Sequence, residues 1–303
     1  MHILVTGAGG FIGRAVVRKA RLRGWNVTGI ARRSSPEANL LADLRNPIHL
    51  QDTPDAVIHL AGVYAGCRMK SFVENDLVIA KNLIEWGKQQ NVRRWIVASA
   101  AEVYGDIIGE ADEQYPCRPV IPYGEIKLQI EAMFRSAGFP EVTACRVGEV
   151  YGSEGHILQE ISSKLRSGFF PWGGSGNVKI SFVHVEDVAE ALLLSCERAM
   201  PGFHVFNISD NEPATWKQFL ETIAAGLHTR KPVYFPKPAA YCYSWIPSWI
   251  DRILARPANV TPQVLRLLTT PKILLSNRAH EQLGFIPKYP DIEAGLKEVL
   301  RSL

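Results

Sequence analysis

The segment that most constrains this chain is Thr6-Gly7-Ala8-Gly9-Gly10-Phe11-Ile12-Gly13. The apolar run Ile3 to Thr6 precedes it and reads as a strand. A helical pattern from about Gly10 to Arg23 follows, with Gly24 as its terminator. Gly7, Gly10 and Gly13 carry the GxxGxxG spacing. Glycine lets the main chain turn tightly and approach a pyrophosphate with no Cβ in the way, while the N–H groups at a helix N-terminus favour an anion. With a strand before it and a helix after it, this loop reads as a dinucleotide cradle rather than a turn that only packs the helix.

The surrounding pattern agrees. Asn26–Ala31, Ala56–Leu60, Trp95–Ser99 and Val142–Val147 read as further strands, and residues 71–90 and 126–134 as helices. The connection before Ala56 looks too short for a full helix. Such alternation predicts an α/β fold: a doubly wound parallel sheet of the Rossmann type. After Gly148 the pattern loosens. Helices are expected over His156–Arg166, Glu186–Arg198, Thr215–Leu227 (Thr215 as its cap) and Ile292–Leu300, and strands over Ile180–Val185 and Val205–Ile208. The expected division is a dinucleotide-binding domain over 1–152 and a smaller C-terminal substrate lobe over 153–303, with segments near 180–210 returning to the main sheet.

Composition narrows the partners. Of 303 residues, 47% are hydrophobic and 21% charged, an ordinary globular balance. The net charge of +4 is small and dispersed, so no nucleic-acid partner is expected. Cys67, Cys117, Cys145, Cys196 and Cys242 are odd in number and form no CxxC pair, which argues against a disulfide framework or a metal site and for a reducing, cytoplasmic setting. Met1–Val5 lacks the basic flank of a secretory leader. Pro238–Ile250, uncharged but short and proline-containing, predicts no stable membrane insertion.

Two further features suggest chemistry. An acidic residue ending the second strand would favour NAD through the adenosine ribose. Here Ala31-Arg32-Arg33-Ser34 stands there, and arginine forks match a phosphate, which points to NADP with NAD as the alternative. Asp43-Leu44 is placed beside the adenine, or else at the surface. Tyr123 and Lys127 lie four apart at a helix start and so share a face. A neighbouring ammonium is expected to lower the tyrosine pKa, so that Tyr123 exchanges a proton with a carbonyl or alcohol oxygen.

These motifs continue with His59-Leu60-Ala61-Gly62, Asn75, Asn82-Leu83-Ile84-Glu85, Val103-Tyr104-Gly105, Arg146, Val150-Tyr151-Gly152, Phe182 to Ala189, Phe206-Asn207 and Leu283-Gly284-Phe285-x-Pro287. Together they resemble an extended short-chain dehydrogenase/reductase of the NAD-dependent epimerase/dehydratase family. The resemblance implies a Tyr-Lys enzyme, cofactor contacts at Phe11, Ile12, Leu60, Ala61, Gly62, Ser99, Tyr123, Lys127 and Val147 as well as the loop glycines, and a homodimer. Such families usually carry a catalytic Ser or Thr where this chain has Ala100. Ser99, one residue earlier, would point the other way on a regular strand. Either a local twist makes Ser99 the third catalytic member, or that member is missing. Ala101-Glu102, where dehydratases often carry Asp-Glu, argues against a sugar 4,6-dehydratase. The match to nucleotide-sugar enzymes is poor at Lys179. Phe169, Phe170, Trp172, Tyr241, Tyr243, Trp245 and Trp249 resemble the 3β-hydroxysteroid dehydrogenase/dihydroflavonol-reductase branch, or form the core of the lobe. The expected function is interconversion of a secondary alcohol and a ketone on a small-molecule substrate with NADP(H). The alternatives are a nucleotide-sugar epimerase with tightly held cofactor and a non-catalytic dinucleotide sensor.

Overall fold

The computed structural model describes residues 1–48, 50, 53–62, 70–244 and 262–301. In chain order the first elements are β1 (His2–Thr6), α1 (Phe11–Leu22), β2 (Asn26–Ala31), β3 (Leu40–Leu41), β4 (Ala56–His59), α2 (Lys70–Gln89), β5 (Arg94–Ala100), α3 (Pro122–Ser136) and β6 (Glu141–Val147). There follow β7 (Glu149–Tyr151), α4 (His156–Arg166), β8 (Pro171–Gly173), β9 (Lys179–Ile180), β10 (Phe182–His184), α5 (Val185–Glu197), β11 (Gly202–Ile208) and β12 (Ala214–Thr215). The last are α6 (Trp216–Gly226), β13 (Val233–Phe235), α7 (Lys237–Ser244), α8 (Pro262–Thr269), α9 (Asn277–Leu283) and α10 (Ile292–Leu300).

Seven strands form one parallel sheet in the order β11-β6-β5-β4-β1-β2-β3. The order reverses between β1 and β4, and at such a switch point the loops after the strands diverge and leave a crevice for a ligand. Alternation along the strands sorts the core onto two faces. Ile3, Val5, Ile58 and Ile96 pack with α1 and α5, whereas Leu4, Val57, Val97 and Trp95 pack with α2 and α3. Among its described residues, the short connection before β4 holds only β3, as its length predicts.

The second half differs from its sequence reading at Ser181. The expected strand Ile180–Val185 splits into β9 and β10, because the Ser181 N–H bonds the Lys272 carbonyl at 2.7 Å, and Val185 already begins α5. β11 joins the main sheet beside β6, so this part of the chain returns to it. A separate core gathers Leu158, Trp172, Phe182, Trp216, Phe219 and Leu296 from α4, β8, β10, α6 and α10, with Phe170 from the turn before β8. Phe170 and Trp172 are thus buried packing residues of that core, while Phe169 is exposed. Trp245 and Trp249 lie outside the described residues, as does Cys67. No described helix is long and apolar enough to cross a membrane.

Candidate active site

The glycine loop has the shape its spacing predicts. Gly7 takes φ +72°, a region that disfavours side chains. A Cβ there would stand 2.8 Å from the Ala61 nitrogen, so the loop closes tightly on the end of β4. A Cβ on Gly13 would stand 2.1 Å from the Gly7 carbonyl oxygen, which makes this glycine the contact point of helix and strand. Gly10 begins α1 and is exposed, and its N–H bonds the Gly7 carbonyl at 2.9 Å. Phe11, Ile12 and Ala61 are half-buried around the same crevice, Gly62 is exposed beside them, and Val147 and Leu44 are buried. A close-packed loop with a bare helix start fits the pyrophosphate of a nicotinamide dinucleotide.

Thr6 locks the floor of this crevice. Its hydroxyl oxygen accepts from the N–H groups of Leu60 (3.2 Å) and Ala61 (3.1 Å). The same hydroxyl lies 2.9 Å from His59 Nδ1 and ties that ring to the floor. His59 is buried and its pKa falls to about 3 through burial, with Lys127 adding to the effect. It stays neutral.

After β2, Arg32 and Arg33 are exposed, and Ser34 completes a stretch without a carboxylate. Glu37 is buried nearby, but its carboxylate accepts from the Ser35 hydroxyl at 2.6 Å. Asp43 pairs with Arg45, whose Nε lies 2.9 Å from Oδ1, and that hydrogen-bonded guanidinium holds the carboxyl down to about 2. Asn82 Nδ2 donates to the Leu44 carbonyl at 3.0 Å and ties α2 to this segment.

At the other end, α3 starts at Pro122, which suits the first helical position because its missing N–H has no intrahelical partner to lose. Gly124 lets this start lie on the Glu102 backbone, since a Cβ there would stand 2.3 Å from the Glu102 carbonyl oxygen. Tyr123 and Lys127 come together as expected: the Lys127 ammonium stands 5.7 Å from the tyrosine ring centre and donates to the Ala98 carbonyl of β5 at 3.3 Å. The expected lowering of the Tyr123 pKa does not occur in the polypeptide by itself. Burial raises it above the ordinary phenol range, and the negative charges of Glu102, Asp76 and Glu149 push the same way. Lys127 is lowered by burial and partly restored by Asp76 and Glu131.

Ser99 is buried on β5 with its hydroxyl donating to Glu131 of α3. Ala100 is buried and extended at the strand end (φ −147°, ψ 156°). The strand stays regular, and Ser99 and Ala100 therefore face opposite sides of the sheet.

One feature of the site has no sequence signal. Lys272 is nearly buried and its ammonium donates to Glu102 Oε1 at 2.7 Å, across 170 residues of chain. The attraction of Glu102 and Glu149 raises its pKa despite burial, while burial raises that of Glu149. Two carboxylates and one ammonium thus gather on the Tyr123 side, and Glu102 and Lys272 also line a small cleft with Asp106, Val120, Arg266 and Thr270.

Comparison with known proteins shows the family and the fold. Residues 3–209 match the NAD dependent epimerase/dehydratase family. The UDP-glucose 4-epimerase of Halalkalibacterium halodurans is 25% identical over 97% of this chain and 92% of its own. The human decarboxylating sterol-4-alpha-carboxylate 3-dehydrogenase is 26% identical over 93% of this chain and 83% of its own. Among solved structures, human epimerase family protein SDR39U1 with NADPH superposes with a TM-score of 0.81 at 22% identity, covering 100% of both chains. MoeE5 with UDP-glucuronic acid and NAD gives 0.80 at 25% identity, again over 100% of both. A family match across the whole dinucleotide fold, on a loop that leaves no room for side chains, makes this chain a member of the NAD-dependent epimerase/dehydratase family and an NAD(P)-dependent enzyme of the extended short-chain dehydrogenase type.

Proposed function

We propose that this enzyme interconverts a secondary alcohol and a ketone on a small organic or sugar-like substrate with NADP(H). The observation that carries this reading is the placement of the half-buried Tyr123 beside the buried Lys127 ammonium on α3, at the C-terminal end of β5. The cofactor, when bound, supplies or accepts the hydride. Tyr123 keeps its proton at neutral pH, because burial and nearby carboxylates oppose the phenolate, and it gives that proton from its phenolic oxygen to the carbonyl oxygen during reduction. Lys127 would hold the nicotinamide ribose, and Gly7, Gly10 and Gly13 the pyrophosphate. Arg32 and Arg33 would take the 2′-phosphate, since their forks suit it and residues 31–34 offer no carboxylate to repel it.

The ion pair Glu102–Lys272 with Glu149 favours a substrate whose reacting end is polar, because a hydrocarbon would strip these charges of hydrogen-bonding partners. The same trio supports the second reading, a nucleotide-sugar epimerase that oxidises and re-reduces one centre. In that case the purified protein retains its cofactor and turns over without added NADP(H). A homodimer in the cytoplasm completes the proposal; a monomeric mass by light scattering would contradict the dimer.

The test is NADPH and NADH oxidation against a panel of ketones and hydroxyketones, with cofactor binding followed by calorimetry. Tyr123→Phe is expected to lose at least about a hundredfold in turnover while binding cofactor as before. Unchanged turnover in that variant would remove Tyr123 from the chemistry, and no uptake of either dinucleotide by the folded protein would end the proposal.

A further inference from the structure

Behind Lys127 lies a buried polar construction that the reaction so far leaves unused. Glu131 stands four residues after Lys127 and eight after Tyr123, so the three form one row along α3. Its carboxylate receives three donors. The Ser99 hydroxyl donates to Oε1, Arg146 Nε donates to Oε1 at 3.1 Å, and Arg146 Nη2 to Oε2 at 2.7 Å. The side chains of Arg146 and Glu131 are only 7% and 4% exposed. Ser99 and Arg146 are register partners across β5 and β6, which puts both on the sheet face that α3 covers. The Arg146 guanidinium in turn lies 4.8 Å from the ring centre of Tyr104, whose hydroxyl donates to Asn207 Oδ1 at 2.6 Å.

A buried ion pair is a poor way to attach a helix, because desolvation offsets much of its attraction and apolar packing would serve as well. What apolar packing would not supply is a fixed negative charge one helical turn from Lys127. We propose that Ser99 and Arg146 brace Glu131, and that Glu131 is a positioning residue that keeps the Lys127 ammonium charged and directed toward the Ala98 carbonyl and the cofactor. Ser99 then works on Glu131 rather than on the substrate. The meaning given to Lys127 rests on the dehydrogenase reading above; the charge coupling does not.

Among the described residues, the groups facing Lys127 are Asp76 from α2, Tyr123 and Glu131 from α3, and neutral His59 from β4. Of these, Asp76 and Glu131 both oppose the lowering of the Lys127 pKa by burial.

The test is an NMR titration of the lysine side chains, with the Lys127 signal identified by its loss in Lys127→Arg. In Glu131→Gln the Lys127 midpoint is expected to fall by about one pH unit, the size of effect an adjacent opposite charge produces. Because that variant leaves the Arg146 charge unpaired and can unfold the chain, the double variant Glu131→Leu with Arg146→Met is measured beside it. That variant replaces the pair with apolar volume and is expected to show a fall as well. An unchanged midpoint in either folded variant overturns the proposal, since a purely structural brace would not move it. NADPH titration of the parent protein on the same samples separates the two ideas: failure to bind ends the dinucleotide reading, while the lysine midpoint still decides this one.

Discussion

Single residues here draw their chemistry from surroundings that sequence spacing does not describe. Tyr123 and Lys127 were legible as a pair because four residues on a helix always share a face. The state of Tyr123 was not, since it depends on burial and on Glu102, Asp76 and Glu149, which arrive from other elements. Arg32 and Arg33 are the residues on which the proposed preference for NADP rests. Replacing both by Ser is expected to raise the KM for NADPH about tenfold or more and to leave that for NADH nearly unchanged, because charge-assisted bonds to a 2′-phosphate would be lost and NADH has none to lose. Steady-state kinetics with both cofactors checks this, and equal effects on the two would remove these arginines from phosphate recognition.

Elements follow local rules closely. Apart from the short edge strand β3, which the sequence reading did not include, the strands of the main sheet lie within about three residues of their apolar runs, because a parallel strand buried on both faces needs a continuous apolar sequence. Thr215 is the cap its position suggests: its hydroxyl accepts from the Gln218 N–H at 3.1 Å, and Gln218 Oε1 accepts from the Thr215 N–H at 2.8 Å. Thr215→Ala is expected to cost about 1 kcal/mol and to lower Tm by about 2 °C. Calorimetry reads both values, and an unchanged Tm would mean that the packing of α6 alone fixes the helix start. Ser181 shows the limit of local rules. Its neighbours have strand propensity, yet a bond to the distant Lys272 backbone divides the run.

For the molecule as a whole, two buried histidines tie stability to pH. His59 and His184 have pKa values lowered to about 3 and about 4, with burial the main cause in each and Lys127 or Lys288 adding to it. In the unfolded chain both return to about 6.5. Below that pH the unfolded state takes up protons that the native state refuses, so their contribution is complete above about pH 6.5 and is lost as the pH falls toward 4. The histidine contribution therefore lowers Tm between pH 7 and 4.5, against an opposite contribution from Asp210, whose carboxyl burial raises to about 8. His184 Nδ1 also caps α5 by accepting from the Glu186 N–H at 3.3 Å, a role that asparagine can fill. His184→Asn is accordingly expected to flatten the slope. Equal Tm–pH slopes in the parent and in His184→Asn would show that His184 does not couple folding to protons.

The sequence by itself determined the sheet, the glycine cradle and the Tyr-Lys face, because sterics and periodicity act over a few residues and repeat along the chain. Only the tertiary structure decided what Ser99 bonds, that Arg146 meets Glu131, and that Lys272 crosses to Glu102. Desolvation and charge act through space, so partners far apart in sequence leave no pattern in it until the fold encloses them together.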